Sequence, residues 1–140
     1  MFLGLFGQSR PQAILKRHTT YGLGGVEIVV SADGKVSIVH EGFGEKQRTE
    51  RHTFALDAEA TRELFAAFEE AKFSQMVIPQ HCGVPDEMYF SLEFTDEQGK
   101  TKKLGKFVHT PLAAFDGLVE RFRKIIADHL DKKTRERLTL

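Results

Sequence analysis

The segment His81-Cys82-Gly83-Val84-Pro85-Asp86 brings an imidazole, a thiol and a carboxylate into one short stretch. Cysteine chemistry runs through the thiolate, which needs a neighbouring cation or a helix N-terminus to form at neutral pH. His81 directly precedes Cys82, and adjacent side chains on an extended backbone point apart, so His81 is poorly placed as a base for this thiol. An enzyme reading centres on His81, Cys82 and Asp86, but no nucleophile, base and orienting group stand at a spacing that assigns a catalytic residue.

The same trio, joined by His40, His52 or His109, reaches the four ligands of a structural zinc site. No Cys-x-x-Cys or His-x-x-x-His pair is present, and no metal or other cofactor is expected. Gly22-Leu23-Gly24-Gly25 precedes a strand, whereas a phosphate-cradling loop follows a strand and opens a helix. Lys100, Lys102, Lys103 and Lys106 form a basic run near His109, with Phe107 as an aromatic neighbour. Strand alternation sends some of these lysines to opposite faces, and edge lysines commonly guard a sheet, so nucleic acid is not the expected partner. Partner contacts are expected instead at Phe43, set between two glycines, and at Pro79 and Val84 in the loop over residues 79 to 87.

These residues need a frame, and the frame is readable from periodicity. Val26 to Val30 and Val36 to Val39 are β-branched runs around Asp33-Gly34, a strong hairpin signal. Lys46 to Leu56 reads as a third, one-sided strand with a solvated edge. Asp57 is a favourable N-cap for a helix carrying Leu64, Ala67, Phe68 and Ala71, running to about Phe73. Pro79, Gly83 and Pro85 make residues 75 to 87 a connecting loop. Met88, Phe90, Leu92 and Phe94 then alternate with polar residues as a central strand. Asp96 to Gly99 turn the chain into a further strand, bulged at Gly105, before Thr110-Pro111 opens a second helix with Phe115, Leu118, Val119, Phe122, Ile125 and Ile126 on its apolar stripe. Residues 131 to 140 read as a charged extension that adds little to the core, and residues 1 to 20 as a leader without clear period.

The expected fold is therefore α+β: a mainly antiparallel sheet of about five strands with two helices packed on one face, in a single domain over residues 21 to 130. A chain of 140 residues with 41% hydrophobic and 29% charged residues has the composition to bury such a core unaided. Twenty basic and twenty acidic residues cancel, which removes the overall field that draws proteins to nucleic acid or anionic lipid. A lone Cys82 allows no internal disulfide and fits a reducing, cytoplasmic compartment, and no apolar run reaches the length of a membrane span. Most of the twelve phenylalanines, Phe65, Phe68, Phe90, Phe94, Phe115 and Phe122 among them, fall on faces expected to be buried.

The order of hairpin, strand, helix, hairpin and helix resembles a set of small bacterial domains of unknown function. Ser31-Ala32-Asp33-Gly34-Lys35-Val36, Leu64 to Phe73, Pro85-Asp86-Glu87-Met88-Tyr89 and Pro111 carry that resemblance over residues 25 to 127. In element order and size the chain is also similar to emfourin-like inhibitors of thermolysin-type metalloproteases. Those carry a Gly-Gly pair in the first hairpin, where this chain has Asp33-Gly34, its own pair being Gly24-Gly25 ahead of the strand. With no assembled catalytic motif, phosphate loop or ligand set in the sequence, a protein partner is expected rather than a small molecule. The function expected is a small intracellular protein-binding or regulatory module of inhibitor-like character; the alternative is an enzyme or metal-binding protein using His81, Cys82 and Asp86.

Overall fold

The computed structural model describes residues 10–19, 25–42, 49–79 and 88–138. The chain runs through β1 (Gln12–Thr19), β2 (Gly25–Ser31), β3 (Lys35–Glu41), β4 (Thr49–Ala55), α1 (Ala58–Glu70), a single 3-10 turn (Phe73–Gln75), β5 (Met88–Thr95), β6 (Thr101–Phe107), α2 (Ala113–His129) and α3 (Lys132–Leu138). All neighbouring strands pair antiparallel, in the order β4-β3-β2-β1-β5-β6.

The α+β class and the antiparallel sheet are as the periodicity indicates, but the sheet has six strands and the described residues form three helices rather than two. The additional strand comes from the stretch expected to be a leader. Gln12–Thr19 pairs with β2 on one side and β5 on the other, so it is one of the two innermost strands. The additional helix comes from the charged extension expected to add little to the core. Leu130 leaves α2 in extended conformation, the Asp131 carboxylate accepts from the Thr134 amide at 2.7 Å, and α3 then carries Leu138 into full burial.

One face of the sheet holds the core. Leu15, Ile28, Ile38 and Leu92 lie in one cross-strand row and Ala13, Val30, Val36 and Phe94 in the next, all buried. Both longer helices pack on that face. Phe68 of α1 stacks on Phe94 at 4.6 Å between centroids and meets Phe122 of α2 edge-on at 6.3 Å. Burying a side chain of this size contributes roughly 2–3 kcal/mol each, which makes the phenylalanine cluster the main weld between helices and sheet.

The turn chemistry follows the sequence signals closely. Gly34 adopts a φ of 91°, which closes the hairpin as its amide donates to the Ser31 carbonyl and the Lys35 amide to the Asp33 carboxylate. Asp57 caps α1, its carboxylate accepting from the Ala60 amide at 2.7 Å. That helix ends at Glu70 rather than at Phe73, because Lys72 turns left-handed with a φ of 54° and Phe73 buries itself in the 3-10 turn. Two expectations change at the second hairpin. The β5–β6 register is continuous through Gly105, so no bulge is present there. The last helix begins at Ala113, after an extended Leu112 that makes no side-chain cap, and Thr110 instead lends its carbonyl to Lys106.

Among the described residues no helix is long and apolar enough to cross a membrane.

Candidate protein-binding edge

β6 is an outer strand, and the parity of its hydrogen bonds determines which backbone groups it leaves unused. The Asp96 amide donates to the Lys100 carbonyl and the Val108 amide to the Met88 carbonyl, bracketing the β5–β6 ladder with pairs that contain even-numbered residues. In an antiparallel ladder the bonded pairs alternate, so Lys102, Leu104 and Lys106 bond to β5 while Thr101, Lys103 and Gly105 turn their amides and carbonyls outward. The strand is thus a template for further pairing, with Lys103 as the charged residue that discourages indiscriminate association.

A short extended segment is tied to β6 through a side chain on its helix-covered face. After the 3-10 turn, Met76 is buried, Ile78 packs against the core, and Val77 and Pro79 point outward, a period of two. Lys102 of β6 holds the segment in place: its ammonium donates to the Ser74 carbonyl at 2.8 Å and the Met76 carbonyl at 2.9 Å. Val77 is 77% exposed directly after the Met76 carbonyl that Lys102 holds. At the far end of the strand Met88 and Val108, joined by their backbone hydrogen bond, are 39% and 37% exposed.

The β5–β6 hairpin is packed on both faces. Tyr89 lies across Gly105, so closely that an added Cβ would overlap its hydroxyl oxygen, and it packs edge-on to Phe107 at 5.3 Å and against His18 at 4.8 Å. Gly105 is therefore a seat for a ring rather than a kink in the strand. Lys106, almost fully buried, pairs with Asp116 at 2.8 Å, donates to the Thr110 carbonyl at 2.8 Å and lies over the Phe115 ring, tying β6 to the start of α2.

Of the residues singled out in the sequence, Pro79 is exposed within the braced segment. Phe43, His81, Cys82, Val84 and Asp86 lie outside the described residues. The lysine run is not a stripe: Lys102 and Lys106 occupy the helix-covered face in structural bonds, while Lys103 is on the other face and Lys100 is in the turn. His52 bonds to Glu50 at 2.9 Å on β4, and among the described residues no group of three histidine, cysteine, aspartate or glutamate side chains could hold a metal ion. Two open cavities are also present. One of about 450 Å³ has the Lys16–Glu27 ion pair and Arg51 in its wall, and one of about 510 Å³ lies between Phe65 of α1 and Asp96; each mixes charges of both signs. Sequence reasoning missed Val77, Met88 and Val108. Val77 was legible in principle, since Met76-Val77-Ile78-Pro79 alternates and one of its two sides must face out.

No family model and no curated protein matches the chain.

Proposed function

We propose that the protein is a protein-binding module that takes an extended segment of its partner along the outer edge of β6. The observation that carries this reading is the placement of apolar surface. Val77, Met88 and Val108 are the large apolar side chains left exposed among the described residues: Val77 follows Met76, whose carbonyl accepts from Lys102 of β6, and Val108, next after β6, is hydrogen-bonded to Met88 of β5. The opposite edge, β4, has none; its Phe54 is half-buried and stacked on His129 at 4.5 Å. Strand addition draws affinity from outward amides and carbonyls and specificity from side-chain contacts beside them, and β6 has both. Because Lys102 already orders the Val77 segment, binding there sacrifices little conformational freedom.

The resemblance to emfourin-like inhibitors makes a thermolysin-type metalloprotease the first partner to assay. Slowed cleavage at stoichiometric amounts, lost on Val77→Asp, is the result expected of an inhibitor. The broader reading is tested by placing a photoreactive phenylalanine analogue at position 77 or, as a control on the other edge, at position 53, and irradiating each protein in cell extract. An adduct of discrete mass from position 77 alone supports the reading. Equal adducts from both positions, or none from position 77, count against it.

A further inference from the structure

Arg17 stands toward the C-terminal end of β1 on the helix-covered face, with 7% of its surface exposed. Its cross-strand neighbour on β5 is Phe90, and Arg123 of α2 spreads over that same ring, its guanidinium carbon 5.8 Å from the centroid. Two cations thus gather around one aromatic side chain. Burial, and then the like charge of Arg123, pull the Arg17 guanidinium below its ordinary pKa.

A guanidinium carries five N–H donors and wants oxygen acceptors. Among the described residues Arg17 finds one, the Leu138 carbonyl at 3.0 Å from Nη2. Its Nη1 reaches the Met88 sulfur at 3.6 Å, a weak acceptor, and its Nε is buried with no partner. Arg123 also leaves Nε buried and unpartnered, and its ion-pair partner is Glu120 on the solvent side of α2. The last carbonyl of α3 offers Arg17 the partial negative charge of a helix C-terminus, which is less than a full counter-charge. Among the described residues no anion faces this buried cation, an arrangement among the costlier a fold can hold, and donors are left over to receive one.

We propose that Arg17 and Arg123 form an oxyanion-binding site beside Phe90, which takes a phosphate, sulfate or carboxylate group as acceptor for Arg17 Nε and Nη1. The route in lies past Met88, 39% exposed and in contact with Nη1, and past the Arg123 side chain, 38% exposed. The Arg17 guanidinium is therefore one side chain below solvent, and an oxyanion replaces a thioether as its neighbour.

The test is the melting temperature of the full chain titrated with sodium phosphate, sulfate or acetate against sodium chloride at matched ionic strength, for the wild type, Arg17→Met and Arg123→Met. At least one oxyanion is expected to raise the wild-type midpoint saturably, by about 5 °C. That rise should vanish in Arg17→Met and shrink in Arg123→Met. Phosphate and sulfate also stabilise proteins by exclusion, without saturation, so the comparison with Arg17→Met isolates the site. A response to phosphate or sulfate but not acetate assigns a tetrahedral oxyanion, and a response to acetate alone assigns a carboxylate. A curve that follows ionic strength only, or a saturable rise that Arg17→Met retains, overturns the proposal. Should Arg17→Met not fold, the Arg17 Nε–H resonance of the wild type gives the same answer: saturable displacement by the active anion supports the site, and an unmoved signal overturns it.

Discussion

Replacing Lys102 by methionine separates the brace from the core. Methionine keeps most of the aliphatic stem that Lys102 lays on the helix-covered face and removes only the ammonium. Two hydrogen bonds disappear, to the Ser74 and Met76 carbonyls at 2.8 and 2.9 Å. Bonds to charged groups contribute roughly 1.5–3 kcal/mol each, but Ser74 is exposed and its carbonyl can recruit water, so a net loss of about 1–2 kcal/mol is expected. For a chain of this size that lowers the melting midpoint by about 3–8 °C. The loss should be local in origin: by hydrogen exchange, the amides of Gln75 and Met76, which donate to the Lys72 and Phe73 carbonyls, should lose protection while β1 and β5 lose no more than the global change. Calorimetry and exchange on the same sample check this. A loss above about 4 kcal/mol means Lys102 supports the core itself, and unchanged exchange at 75 and 76 means the segment needs no brace; either refutes the reasoning.

Lys106→Ala should destabilise by about 3 kcal/mol in urea titration, whereas Lys106→Met should lose about half of that, because Asp116 is half exposed and rehydrates while the methionine still covers Phe115. Gly105→Ala should lower stability by about 1 kcal/mol, since Tyr89 must leave Phe107 and His18, and a double-mutant cycle with Tyr89→Ala should show strong coupling. Asp57→Ala should cost about 1 kcal/mol through the lost cap of α1, read from the denaturation midpoint. Replacing His81, Cys82 and Asp86 together by alanine should leave the adduct from position 77 intact; its loss, or the loss of metal uptake or turnover seen in the wild type, would move the function to that loop.

Local signals carried most of the fold. The Asp33-Gly34 hairpin, the Asp57 cap and the stripe of Phe115, Leu118, Val119, Phe122 and Ile126 each depend on neighbours close in sequence, and each has the form its residues dictate. β1 was hidden because its core-facing side is Ala13, Leu15 and Arg17, so a charge stands where an apolar residue would have completed the period. Its position between β2 and β5 is a non-local pairing that no window of sequence contains. α3 was hidden for a related reason: Leu138 is its one buried large apolar side chain, too few for a stripe. The exposure of Val77 depends on Met76 and Ile78 reaching the core and on Lys102 arriving from β6, which is tertiary information. A buried Arg17 runs against the ordinary placement of charge, and composition alone assigns it to the surface.

The central claim, that a partner pairs with the β6 backbone, is tested most directly by repeating the position-77 cross-link in a Lys103→Pro background. The Lys103 amide points away from β5, so proline there removes an outward donor and obstructs an incoming strand while sparing the β5–β6 ladder. The expected result is loss of the adduct with the melting midpoint little changed, while Thr53→Pro, its counterpart on the β4 edge, leaves the adduct in place. An adduct of unchanged yield in Lys103→Pro would contradict strand addition at β6.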